Sequence, residues 1–145
     1  NYVLETNLNG AFRVAKMATD HMLKNKKGGS IINIASILGQ RVGLNLASYA
    51  TSKSALIQLT KSMALELARS NIRVNALAPG YILTEINDDF FATEEGQNYI
   101  KKIPMNRLGL EEDLDGALLL LSSDASSFMT GSVINIDGGH LINPL

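Results

Sequence analysis

Ser36, Tyr49 and Lys53 bring a hydroxyl, a phenol and an ammonium into one short stretch of the chain. Tyr49 and Lys53 are four residues apart, so on a helix they share a face. A free phenol ionises only near ~10, and a neighbouring ammonium favours phenolate over phenol. A pair of this kind can exchange a proton with an alcohol or carbonyl oxygen near neutral pH. Ser36, at the end of the strand that precedes Tyr49, can donate a hydrogen bond to the same oxygen and stabilise charge that develops there.

The elements that must hold these groups follow from hydrophobic spacing. Residues 5–24 carry Leu8, Ala11, Phe12, Ala15, Ala18, Met22 and Leu23 at a period suited to an amphipathic helix. The polar run Lys24 to Gly29 ends it. Ser30 to Ala35 is short, β-branched and apolar at nearly every position, the pattern of a strand covered on both faces. A loop containing Gly39 and Gly43 leads to a helix over 47–70, with a stripe of Leu56, Leu59, Met63 and Leu67. Ile72 to Ala78 is a second buried strand that stops at Pro79-Gly80. Strand, helix, strand makes a βαβ unit with parallel strands and a right-handed crossover. The stretch 81–109 is a long excursion with one or two short helices, suited to a lid, in which Phe90 and Phe91 could line a substrate pocket. Glu111-Glu112-Asp113 opens a further helix whose Leu114 to Leu121 fills a buried side, and Ser132 to Ile136 is a third strand before Asp137-Gly138-Gly139. The fold class is therefore α/β, with strands at 30–35, 73–78 and 132–136.

Composition excludes several function classes. Against 14 Asp+Glu stand 13 Lys+Arg, a net charge of −1 with no basic block to meet nucleic acid. Cysteine is absent, which removes disulfide and thiolate chemistry and leaves the cytoplasm as the default compartment. The aliphatic run Ala117 to Leu121 is far short of the ~20 residues a membrane-spanning helix needs. His21 and His140 have no partners at metal-ligand spacing and read as surface or terminal residues.

Five features in order, Asn7 in Thr6-Asn7-Leu8-Asn9-Gly10, Ser36, Tyr49 with Lys53, Pro79-Gly80 with Thr84, and Asp137-Gly138-Gly139, closely resemble the short-chain dehydrogenase/reductase family of the single-domain type. That family includes 3-oxoacyl carrier-protein reductases and sugar and alcohol dehydrogenases. The resemblance runs over essentially the whole chain. It implies a Rossmann-like doubly wound parallel sheet and interconversion of a secondary alcohol and a ketone with NAD or NADP. It further implies Tyr49 as acid/base and cofactor contact, Lys53 as its partner and a contact to the nicotinamide ribose, and Ser36 as the group orienting substrate. Asn7 would hold a proton-relay water, with an amide bonded to backbone inside its helix as the alternative. Pro79, Gly80, Ile82 and Thr84 would cradle the nicotinamide end of the cofactor.

The family's glycine-rich turn for the cofactor pyrophosphate has no counterpart here, since Gly28-Gly29 precede a strand and Gly138-Gly139 follow the last one. Residues 1–145 are thus expected to be the C-terminal portion of one such domain, without its N-terminal cofactor-binding part and with one open strand edge. The implied partners are a small-molecule or carrier-bound carbonyl or alcohol substrate and further copies of the chain, as a homotetramer or homodimer joined through the alanine-rich helices 5–24 and 47–70. A non-catalytic remnant or scaffold subunit is the alternative from another class. A nucleotide-sugar epimerase or dehydratase would need a larger C-terminal substrate domain. A serine hydrolase would need a G-x-S-x-G elbow around Ser36, which is absent.

Overall fold

The computed structural model describes residues 2–143. Three parallel strands, β1 (Gly29–Ile34), β2 (Ile72–Pro79) and β3 (Val133–Ile136), form one sheet in the order β1-β2-β3. The register sets Gly29 opposite Ile72 and Ala76 opposite Val133. The expected βαβ unit is present, its crossover carried by the helix α3 (Ala47–Leu67). Asn71 closes that helix in the left-handed conformation, where asparagine is tolerated, and the chain turns directly into β2.

The core lies between α3, the sheet and the first helix. Met63 and Ala64 of α3 pack with Ile31, Ile72, Val74 and Ala15. Leu56, Ile72, Leu77 and Leu121 are fully buried, each contributing about 1.5–3 kcal/mol. Asn33 of β1 and Thr60 of α3 are buried polar residues that satisfy each other, Asn33 Nδ2 donating to Thr60 Oγ1 at 2.9 Å.

The first helix departs from a plain 3.6-residue period. A short α1 (Tyr2–Leu4) passes through a π-helical turn at Glu5–Gly10 into α2 (Ala11–Asn25). Thr6, Asn7, Asn9 and Gly10 are weak helix formers, so the wider turn displaces little intrinsic preference. Such turns occur frequently at functional sites, and this one contains Asn7.

Two expectations about burial require correction. β1 is not covered on both faces: Ile31 and Asn33 are buried, whereas Ile34 is 51 % exposed. The α6 helix (Asp115–Ser122) touches β1 near its start, Ser30 Oγ donating to the Leu121 carbonyl at 2.7 Å. Nor does α6 bury its leucine run, since Leu121 is enclosed while Leu118, Leu119 and Leu120 are exposed, Leu119 at 67 %. Four consecutive residues sweep right around a helix, and one layer of sheet covers only one side of it.

The excursion after β2 holds two short helices, α4 (Asp88–Ala92) and α5 (Glu94–Ile100), as the sequence led us to expect. Its ends are clamped together: Ile82 bridges Gly109, Leu83 N–H donates to the Gly109 carbonyl at 2.8 Å, and Gly109 N–H donates to the Tyr81 carbonyl at 2.9 Å.

Candidate active site

Parallel strands leave their carboxyl ends on one edge of the sheet, the usual place for ligands in open α/β folds. Ser36 lies two residues beyond β1, Gly80 one residue beyond β2, and Tyr49 is the third residue of α3. Ser36, Tyr49, Gly80 and Tyr81 wall one cavity of about 270 Å³, closed on its apolar side by Ile37, Leu38 and Leu46. Residues separated by up to 45 positions thus converge because two strand ends and a helix start share an edge.

Each side chain has a local reason for its place. Ser36 is extended and buried, and its hydroxyl accepts from Leu38 N–H at 3.1 Å, capping the 3-10 turn Ile37–Gly39. A β-carbon at Gly39 would stand 2.9 Å from the backbone carbonyl of Lys53, so glycine lets this turn lie directly on α3. Gly80 has a similar role, because a β-carbon there would come within 2.8 Å of Asp137 Cα. Its N–H donates to the Ile136 carbonyl at 2.9 Å, which draws the end of β2 against β3.

Lys53 lies beside Tyr49, its Nζ 5.7 Å from the ring centroid, and donates to the Ile34 carbonyl at 2.9 Å. Partial burial lowers the Lys53 ammonium from its ordinary value by penalising the charged form. Asn7 Nδ2 donates to Ser52 Oγ at 3.2 Å, and Ser52 Oγ donates to the Tyr49 carbonyl at 2.7 Å. The π-helical turn is thereby tied to the turn of α3 that presents Tyr49. Asn7 and Lys53 line a second and larger cavity, about 490 Å³, which runs between α2 and the open edge of β1.

The remaining sequence candidates sit on the segment that leaves β2. Pro79 is paired with Ile136. Ile82 is held by its bridge to Gly109, and Thr84 N–H donates to Asn87 Oδ1 at 2.9 Å. This segment passes the Ser36/Tyr49 cavity at Gly80, while Ile82 and Thr84 lie beyond the wall. Phe91 is enclosed against Tyr81, 5.7 Å between centroids, and neither phenylalanine lines the cavity.

Sequence reasoning passed over Tyr81 because it lacks a lysine one turn away, although its place next to Pro79-Gly80 at a strand end could have marked it. Burial raises the Tyr81 phenol above its ordinary value, with Tyr99 adding to the shift, Arg41 opposing it and Tyr49 reinforcing it. His140 requires a correction: it is 7 % exposed, not a surface residue. The Asp137 carboxylate accepts from Gly139 N–H at 2.9 Å and Leu141 N–H at 2.8 Å, folding the chain so that His140 stacks 5.5 Å from Tyr81.

Burial lowers the His140 imidazole from 6.5, with Arg41 and Lys102 acting in the same direction and Asp137 against it. The unfolded chain therefore takes up this proton first as pH falls. Stability should drop as pH passes down through 6.5 and level off below the lowered folded value. Urea midpoints at about pH 7.5 and about pH 5.5 should differ more in the natural protein than in His140→Gln; equal differences would contradict this.

A family described as enoyl-(acyl carrier protein) reductase matches residues 1–140. The chain is 41% identical over 140 residues to 3-oxoacyl-(acyl-carrier-protein) reductase FabG of Thermotoga maritima, covering 97% of this chain and 56% of that protein. This chain belongs to the short-chain dehydrogenase/reductase family. Among solved members, 4-hydroxyisoleucine dehydrogenase complexed with NADH superposes with a TM-score of 0.93 at 35% identity, over 97% of this chain and 58% of that one. A gluconate 5-dehydrogenase from Burkholderia cenocepacia J2315, in complex with NADP and tartrate, superposes with a TM-score of 0.87 at 38% identity, over 92% and 52% of the two chains. The sheet and helices described above are thus those of a short-chain dehydrogenase Rossmann fold, and the chain spans little more than half the length of the relatives it matches.

Among the described residues there is no cluster of His, Cys, Asp or Glu able to hold a metal ion. No helix among them is long and apolar enough to cross a membrane.

Proposed function

We propose that this chain is the C-terminal, proton-handling portion of an NAD(P)-dependent oxidoreductase that interconverts a secondary alcohol and a ketone. The observation that carries this reading is the single cavity walled by Ser36, Tyr49 and Gly80, with Lys53 beside Tyr49. In the oxidative direction the substrate hydroxyl gives its proton to the Tyr49 oxygen while hydride leaves the carbinol carbon; reduction reverses both transfers. The Ser36 hydroxyl donates to the substrate oxygen, and the Lys53 ammonium stands beside the Tyr49 ring. Ser36 is well placed to do so because its backbone is pinned in the capped turn.

The nicotinamide of a bound NAD or NADP supplies the hydride acceptor or donor. Pro79, Gly80, Ile82 and Thr84 would hold it: Gly80 lines the cavity where the segment leaves the strand, and the segment is anchored against β3 and Gly109. Lys53 would reach the adjoining ribose. Asn7, whose side-chain amide donates to a serine hydroxyl, would hold a relay water toward Lys53, with which it shares a cavity. The excursion 81–109 would act as the lid, and the exposed Val14, Met17 and Leu65 on the two long helices suit assembly into a homo-oligomer in the cytoplasm.

The cofactor pyrophosphate has no glycine-rich cradle among these residues, so residues 1–145 alone should bind dinucleotide weakly. Calorimetric titration of NAD and NADP should give micromolar binding to the full-length protein that carries this chain and none to the isolated chain. Tight binding to the isolated chain would overturn the division of labour proposed here. Turnover of a panel of ketoacyl thioesters, sugars and secondary alcohols with both cofactors, followed by nicotinamide absorbance, tests the activity itself; absence of turnover throughout would favour a scaffold subunit.

A further inference from the structure

A third cavity, about 120 Å³, continues from the Ser36/Tyr49 cavity and shares Ile37, Leu38 and Tyr81 with it. Its other walls carry Arg41, Lys102, Tyr99 and His140. No acidic side chain lines it, and among the described residues neither Arg41 nor Lys102 takes part in a salt bridge. Asp137, the nearest carboxylate acting on His140, already has both oxygens engaged by backbone N–H groups of its own turn.

The cations are held in place. Arg41 Nη1 donates to the His140 carbonyl at 2.7 Å, a contact between residues 99 positions apart, and the rest of its guanidinium fork makes no hydrogen bond among the described residues. Lys102 Nζ rests over the Tyr99 ring, 4.8 Å from its centroid. The Nδ1 atom of His140 is buried without a hydrogen-bond partner among the described residues. Two cations and no carboxylate among the residues that line this cavity point to the charge of the group it would receive.

We propose that this cavity receives the carboxylate of the substrate, so that the enzyme acts on a secondary hydroxy acid or the corresponding keto acid, with Arg41, Lys102 and His140 as the residues that select it. This rests on the dehydrogenase reading for the reaction but not for the anion site. The carbinol end would lie at Ser36 and Tyr49, and Tyr81 would form the wall between the two ends. A neutral alcohol of the same length leaves Arg41 and Lys102 without a counter-charge.

Two measurements on the full-length protein decide the matter. In the first, kcat/KM is compared for short secondary hydroxy acids of increasing length and for their methyl esters. The acids should be preferred, and Lys102→Met should lower the acid-to-ester ratio about ten- to hundredfold, the worth of a charge-assisted hydrogen bond, while Lys102→Arg retains the preference. Equal use of acid and ester, or a ratio unmoved by Lys102→Met, overturns the proposal. The second needs no turnover: butyrate should shift the His140 imidazole resonances in NMR titration and butyramide should not, with the butyrate response lost in Lys102→Met. No butyrate response, or the same response to both, overturns the anion site. Failure of turnover with every substrate while butyrate still binds would sink the dehydrogenase reading and leave the anion site standing.

Discussion

Tyr49→Phe is expected to reduce turnover of the full-length protein by about 10²–10⁴-fold, the range set by loss of a positioned general acid/base. The ring fills the same space, so the wall it shares with Ser36, Leu46 and Tyr81 persists. Cofactor affinity should change little, because the segment from Pro79 to Thr84 is anchored by β3 and Gly109 independently of the phenol. The loss should appear in kcat and not in KM, as for a group that acts in the transition state. Retained turnover, or a loss confined to KM, would remove Tyr49 from the acid/base role.

Asn75→Ala is expected to destabilise the protein by about 2–5 kcal/mol, since it truncates a fully buried side chain and breaks its two half-buried hydrogen bonds to backbone. Asn75 is 0 % exposed in the middle of β2. Its Nδ2 donates to the Met129 carbonyl at 2.8 Å, and its Oδ1 accepts from Ser132 N–H at 2.9 Å. These two bonds hold the approach to β3, and β3 in turn holds Gly80 and the Asp137 turn that seats His140. The loss is a large part of the ~5–15 kcal/mol that stabilises an ordinary domain. Chemical denaturation of natural and variant protein reads it directly; a shift below about 1 kcal/mol would show that the side chain merely fills space.

Tyr49 and Asn75 differ in how plainly the sequence announces them. Tyr49 stands one helical turn from Lys53, and that spacing makes a shared face whatever else the chain does. Asn75 is one polar letter in a buried strand, and its partners lie 54 and 57 positions away. The same contrast holds for the elements. Ile72 to Pro79 is legible because its mostly apolar character, Arg73 and Asn75 apart, suits a central parallel strand, and the sheet does bury it. The exposed leucines of α6 and Ile34 of β1 were read as buried, because hydropathy records what a side chain prefers and not whether a second layer is present to cover it. The π-helical turn at Glu5–Gly10 left a weak trace in its asparagines and glycine, too weak to separate from an ordinary helix.

Sequence alone determined the α/β alternation, the helical face shared by Tyr49 and Lys53, and the order of motifs that marks the short-chain dehydrogenase/reductase family. These depend on local periodicity and on residue types at short spacing. Only the tertiary structure decided that Ser36, Tyr49, Gly80 and Tyr81 meet around one cavity, and that His140 is drawn inward to stand with Arg41 and Lys102 beside it. Those groupings arise where strand ends and a closing turn converge, through contacts between residues as far as 99 positions apart, and no local pattern encodes which distant groups the packing will bring together.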